Sequence, residues 1–119
     1  MDRDEFFQEI ESSPRREPFT LPSGKKVFVV EISALDLLQA RLESLAESKG
    51  DEKKADELFG GRLAVRSVVD EKNELVFKPA DAERLMRGKS RIVTALTDLV
   101  YDVAGLGSDV KKNSEHPPT

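Results

Sequence analysis

Leu21-Pro22-Ser23-Gly24-Lys25-Lys26-Val27-Phe28-Val29-Val30-Glu31-Ile32-Ser33-Ala34-Leu35-Asp36 is the stretch in which a strand signal gives way to a helix signal. Val27 to Ile32 is β-branched or aromatic at every position except Glu31, a composition that suits a pleated, half-buried surface. Glu17 to Pro22 is a second β-prone run, and the Ser23-Gly24 pair between the runs predicts a hairpin with a two-residue connection. Alternation sends Val27, Val29 and Glu31 to one face and Phe28, Val30 and Ile32 to the other, so both faces are expected to be covered. Pro18 and Pro22 lack backbone donors and place the first strand at a sheet edge. Ser33, with Asp36 three residues on, has the layout of a capping box in which Asp replaces the usual Glu or Gln, and it opens a helix.

That helix is predicted to run to about Ser48. Leu35, Leu38, Leu42 and Leu45 form a stripe at helical spacing, which faces a core or a partner; stripes of this kind ordinarily face inward. Lys49 to Glu52 reads as a solvated loop. Lys53 to Val69 again suits a helix, but Gly60 and Gly61 each cost roughly 1 kcal/mol relative to alanine in a helix interior, so a kink or break is expected there. Asp70 to Glu74 is a charged turn before the apolar run Leu75-Val76-Phe77. Pro79 fits the first position of a short helix carrying Ala82, Leu85 and Met86 and ending at Gly88. Ser90 starts the last helix, in which Ile92, Val93, Leu96, Leu99, Val100 and Val103 build a wide apolar face up to Gly105, expected to be the centre of the core.

Toward the N-terminus, Phe6, Phe7 and Ile10 sit at helical spacing within Asp4 to Ile10, a segment too short to be stable alone, which must dock on something. Ser12, Ser13 and Pro14 break the pattern ahead of the hairpin. Beyond Leu106 almost nothing is apolar, so 107–119 is expected to be a disordered tail. The fold class is therefore α+β: a mainly helical single domain over 1–106 with a small N-terminal β-hairpin, followed by a flexible C-terminal tail.

Composition narrows the function. The chain has 119 residues, room for one domain that buries roughly two-thirds of its unfolded surface. Hydrophobic residues are 38% and charged residues 35%, so the core is modest and the surface densely charged. Val27 to Val30 is the longest apolar run, far short of the roughly 20 residues a bilayer span needs, and the opening Met1-Asp2-Arg3-Asp4-Glu5 lacks a secretory layout. A cytoplasmic protein without a membrane segment is expected. With no cysteine, disulfides, thiolate catalysis and cysteine-ligated zinc are excluded. A net charge of −4 argues against non-specific nucleic-acid binding, which depends on cations neutralising phosphates.

The residues with catalytic potential are poorly placed. His116 is the only histidine and lies in the tail, away from the rigid shell that catalysis requires. Carboxylates are scattered over solvent faces rather than paired in a buried site. Asp70, Glu71 and Glu74 lack the ligand spacing of a calcium loop, and Gly60-Gly61-Arg62 lacks a phosphate-loop motif. No enzyme, metal or cofactor is expected. The partner-binding candidates are Phe6, Phe7 and Phe19 on N-terminal elements, and the cations Arg84, Arg87 and Arg91, which with Lys89 cluster around a helix junction. Asp81, Glu83 and Asp98 dilute that basic cluster. Binding of nucleic acid through Arg84 to Arg91, as in a small regulatory protein, is the alternative function.

The phrases Leu21 to Val29, Ile32 to Asp36, Arg66-Ser67-Val68-Val69-Asp70-Glu71-Lys72-Asn73-Glu74-Leu75-Val76-Phe77 and Asp81 to Leu85 resemble the tail assembly chaperones of long, non-contractile-tailed phages. The resemblance covers about residues 17 to 106. It departs from the family pattern where Asn73 replaces the usual turn glycine, a mild change because asparagine tolerates left-handed geometry. The resemblance implies a late protein of the host cytoplasm that binds the tape measure protein and helps the major tail protein polymerise around it. It further implies absence from the finished virion, and self-association into rings or filaments suits such an assembly factor. Members are often made in a second, frameshifted form, and Lys111-Lys112 is compatible with a slippery adenine run in the gene.

Overall fold

The computed structural model describes residues 1–106, so the expected tail, with Lys111, Lys112 and His116, lies outside the described residues. The chain forms α1 (Arg3–Ile10), β1 (Arg16–Thr20), β2 (Lys26–Val30), α2 (Ala34–Glu47), α3 (Glu52–Ser67), β3 (Val68–Val69), a 3-10 turn (Pro79–Asp81), α4 (Ala82–Met86) and α5 (Ser90–Val103). This is the expected α+β class, mainly helical, with a small antiparallel sheet in the order β1-β2-β3.

β1 and β2 pair from Arg16↔Val30 to Thr20↔Lys26. The hairpin closes where Leu21 N donates to Lys25 O and Gly24 N donates to Leu21 O, both at 2.8 Å. The connection is therefore the three residues Pro22-Ser23-Gly24 rather than the two expected. Pro22 presets the turn dihedral, and Gly24, at φ +90°, supplies the left-handed residue that returns the chain to the ladder. Glu31 N donates to Arg15 O at the open end of the hairpin. Counting alternate pairs from either end puts Pro18 at a non-hydrogen-bonded position of the edge strand, where its missing donor costs nothing.

The third strand was not expected. α3 ends at Ser67 instead of Val69, and Val68 and Val69 pair with Val29 and Phe28 of β2. Two β-branched residues fit better between sheet neighbours than on a last helical turn. Val69 then bridges Leu75 across the charged turn. Asp70 organises that turn, its Oδ1 accepting from Lys72 N at 2.8 Å and Glu74 N at 3.0 Å, while Asn73 takes the left-handed conformation at φ +64°. Val29 is fully buried and Val27 packs beside it, so one sheet face meets the core. On the other face Phe28 and Val30 are only half-buried, with the Arg16 guanidinium 3.6 Å from the Phe28 ring centroid and held there by Asn73 at 3.1 Å.

α3 occupies the middle of the helical layer, a role expected of α5. Ala55, Leu63, Ala64 and Val65 of α3 are buried, and α2, α4, α5 and β2 all pack around this helix. α5 contributes Val93, Leu96, Val100 and Val103 as the face that closes the core. α3 is also unbroken at its glycines. A Cβ on Gly61 would lie 2.6 Å from the Ala82 carbonyl oxygen, and one on Gly60 would lie 3.1 Å from both Thr97 Cγ2 and Tyr101 Oη. The pair exists for close approach, which offsets its helix-propensity cost. Pro79 begins its turn as expected, with Asp81 Oδ2 accepting from Lys78 N at 2.8 Å. α5, by contrast, has Lys89 at its cap with no side-chain bond, and Ser90 is its first helical residue.

Candidate functional site

α2 starts as its sequence dictates: Ser33 Oγ accepts from Asp36 N at 3.1 Å and donates to Asp36 Oδ2 at 3.1 Å. Its inward face, however, is the opposite of the expected one. Ala40 and Ser44 are fully buried and Ser48 nearly so, whereas Leu35, Leu38 and Leu42 are 65%, 53% and 49% exposed. With about 3.6 residues per turn, Leu35, Leu38 and Leu42 lie on the far side of the helix from Ala40 and Ser44, whereas Leu45 of the stripe is half-buried and Leu37 packs against the core. Ser44 Oγ donates to Ala40 O at 3.0 Å and Ser48 Oγ to Ser44 O at 2.8 Å, so the buried hydroxyls are satisfied within α2. Small, internally bonded side chains let α2 lie close against α3.

Ion pairs hold α2 in that rotation. Arg66 of α3 donates to Asp36 at 3.0 Å and to Glu43 at 2.5 Å. Arg62, one turn earlier, donates through Nε to Glu47 at 3.1 Å and through Nη1 to the Pro79 carbonyl at 2.9 Å, tying α2, α3 and the turn before α4 together. Arg41 reaches back from α2 to Asp56 at 2.7 Å and lies 5.4 Å from the Phe59 ring centroid. Rotating α2 to bury its leucines would strip Arg62, whose side chain is 9% exposed, of its carboxylate. Stranding a buried charge costs several kcal/mol, which offsets much of what burying the three leucines would contribute, and the same rotation would also break the Arg66 pairs with Asp36 and Glu43. The leucines stay outside. The sequence signal that marks this arrangement is a match of spacings: Ala40, Ser44 and Ser48 recur every four residues, and Glu43/Glu47 face Arg62/Arg66, each pair four apart.

Of the partner-binding candidates, Phe6 and Phe7 are exposed, at 53% and 40%, on a helix with no buried residue. Asp2 caps that helix by accepting from Glu5 N at 2.8 Å, and Arg3 lies 5.0 Å from the Phe7 ring centroid. An open cleft of about 640 Å³ between Ile10 and Glu11 on one side and Ile32 and Ala34 on the other sets the end of α1 beside the start of α2. Phe19 is placed differently, half-buried and packed against the core.

Arg84, Arg87 and Arg91 are all exposed. Arg87 is paired with Glu83 at 2.6 Å, one turn back on the same helix. Arg84 and Lys89 flank a groove of about 390 Å³ floored by Phe77, Leu85, Ile92 and Val93. The structure thus places two of the cations, Arg84 and Lys89, with Asp81 at the mouth of an apolar groove and Arg91 in the adjoining cleft, far from the leucine face in sequence and on other helices. Gly60 and Gly61 are packed inside α3 and the Arg62 guanidinium is committed to protein partners, so this triplet forms no phosphate cradle. Among the described residues no group of three or more acidic or histidine side chains is placed to hold a metal ion, and no helix is long and apolar enough to cross a membrane. Two electrostatic perturbations stand out. The Arg15 guanidinium is held above its ordinary pKa by hydrogen bonds to Glu17 and then Asp102, and burial followed by the nearby Asp56 and Asp98 raises the Tyr101 phenol.

No protein-family model matches the chain, and no curated protein sequence matches it. Among solved structures it is similar to the bacteriophage HK97 tail assembly chaperone, at 17% sequence identity and a TM-score of 0.58, over 84% of this chain and 97% of that chain. The architecture is accordingly a tail assembly chaperone-like fold.

Proposed function

We propose that the protein is a phage tail assembly chaperone that binds the tape measure protein in the host cytoplasm and promotes tail tube assembly with the major tail protein, without being retained in the virion. The observation that carries this reading is the exposed Leu35, Leu38 and Leu42 face on a helix clamped by Arg62 and Arg66. A contiguous apolar face kept on the outside at the expense of core burial suits an interaction surface. A long helical client with its own apolar stripe would lie along α2 as one amphipathic helix lies along another. The chaperone-like fold agrees with that role, and the acidic net charge keeps a multi-copy protein soluble while its apolar face is free. In this reading the protein acts by binding rather than catalysis, and it self-associates into rings or filaments.

Co-expression with the tape measure protein of the same phage tests the proposal. The client is expected to be soluble and to co-purify only when this chain is present, and Leu38→Lys combined with Leu42→Lys is expected to abolish rescue while leaving the chaperone folded. Rescue that survives the double substitution removes the leucine face from the proposal. Failure of the unaltered chain to bind or rescue removes the chaperone assignment, and salt-dependent DNA binding lost on Arg84→Glu and Arg91→Glu would then favour the nucleic-acid reading.

A further inference from the structure

α1 and the groove between α4 and α5 are complementary. Around Phe6, Phe7 and Ile10 the N-terminal segment carries Asp2, Asp4, Glu5, Glu9 and Glu11 against Arg3 alone. The groove is apolar at its floor, and its flanking Arg84 and Lys89, with Arg91 in the adjoining cleft, have no carboxylate partner among the described residues; Asp81 also lines the groove, but its carboxylate accepts from Lys78 N at 2.8 Å, and the rim keeps a net positive charge. An acidic amphipathic helix and a basic-rimmed apolar groove are the two halves of a helix-in-groove contact, with Phe6/Ile10 and Phe7/Ile10 as its anchors four and three residues apart. The two halves sit at opposite ends of the molecule. Arg15, where the α1 linker joins the sheet, is tied to Asp102 at the C-terminal end of α5 at 3.0 Å, whereas Ile92 and Val93 of the groove are at its N-terminal end. Ten helical residues separate these points by about 15 Å. The cleft beside the groove, lined by Pro22 and Lys89 to Ile92, likewise adjoins the closed end of the hairpin, while α1 adjoins the open end.

We infer that α1 of one copy docks into the α4–α5 groove of a second copy of this chain, its carboxylates meeting Arg84, Lys89 and Arg91. The contact is heterologous, because each copy presents a different patch at each end, and such contacts propagate into rings or open filaments. This deepens the self-association part of the proposed function and leaves the leucine face of α2 free for a client. A single short helix makes a weak joint, so the assembly depends on concentration and on salt.

Complementation between two full-length variants tests it by sedimentation velocity over a range of concentrations. Chain with Phe6→Ser and Phe7→Ser keeps its groove, and chain with Arg84→Glu and Lys89→Glu keeps its α1; all four side chains are surface-exposed, and circular dichroism checks that both variants fold. The unaltered chain is expected to grow beyond a dimer, each variant alone to self-associate at least about tenfold more weakly, and an equimolar mixture of the two to stop at a one-to-one dimer. Adding Asp4→Lys and Glu5→Lys to the groove variant is expected to restore its growth. An unaltered chain that stays monomeric, or oligomers that persist in either variant, overturns the inference. So does a monomer whose α1 is protected in its own groove. Client rescue by an unaltered chain that does not oligomerise would sink this inference while leaving the chaperone reading standing.

Discussion

Arg62 of α3 and Glu47 of α2 form an asymmetric ion pair: Nε donates to Oε2 at 3.1 Å, and the arginine side chain is 9% exposed where the carboxylate is 42% exposed. One partner can hydrate if released and the other cannot. This pair, with Arg66 and Glu43, sets the rotation of α2 and thereby keeps Leu35, Leu38 and Leu42 on the surface.

The asymmetry has a measurable consequence. Glu47→Ala strands a buried guanidinium, which retains only Pro79 O and a longer approach to Glu43, and is expected to lower stability by about 2–3 kcal/mol. Arg62→Met fills much of the same volume and frees Glu47 to water, so a smaller loss of about 1 kcal/mol is expected. Urea unfolding of both variants checks the order. A larger loss for Arg62→Met would mean that the Pro79 bond, rather than the ion pair, dominates.

The glycine pair in α3 should respond unequally to alanine. At Gly61 the new methyl would meet the Ala82 carbonyl oxygen at 2.6 Å, backbone that moves only with α4, so Gly61→Ala is expected to cost about 2–3 kcal/mol. At Gly60 the neighbours are the Thr97 and Tyr101 side chains at 3.1 Å, and the roughly 1 kcal/mol gain in helix propensity nearly balances their displacement. Gly60→Ala is therefore expected to change the unfolding midpoint little. Equal effects at the two positions would contradict the packing described for α4.

The two faces of α2 can be told apart by single substitutions. Leu38→Lys, on the exposed face, is expected to shift stability by less than about 0.5 kcal/mol. Ala40→Leu, on the face against α3, is expected to cost about 1–3 kcal/mol by overpacking. Thermal unfolding of the two variants decides which face is inside.

Tyr101 is the only tyrosine, so its titration is visible without ambiguity in the ultraviolet spectrum. Burial raises its pKa in the folded protein above the ordinary value of about 10. Between the unfolded and folded values the native state binds more protons than the unfolded state, so stability is full below about pH 10 and falls as pH rises through that window. Tyr101→Phe is expected to remove this alkaline loss, and phenolate absorbance in the folded protein is expected to appear above the ordinary value. A midpoint at or below it would show that the phenol is open to water.

Local chemistry carried much of this fold in the sequence itself. Ser33 and Asp36 cap α2, Asp70 and Asn73 shape their turn, Pro79 opens its turn, and Val93, Leu96, Val100 and Val103 face inward along α5. Each depends on neighbours within about one helical turn or on the period of a single element, which a linear reading contains. Tertiary structure decided which face of α2 is buried, why α3 is unbroken at Gly60 and Gly61, and that Val68 and Val69 join the sheet. The leucine stripe and the Ala40/Ser44/Ser48 stripe are both legible in the sequence, but choosing between them depends on Arg62 and Arg66, 15 and 23 residues from their partners Glu47 and Glu43. Amphipathicity reports what a helix would bury alone; what it does bury depends on the charges and close contacts its neighbours bring across the chain, here arginines that would be stranded and glycines that admit α4 and α5.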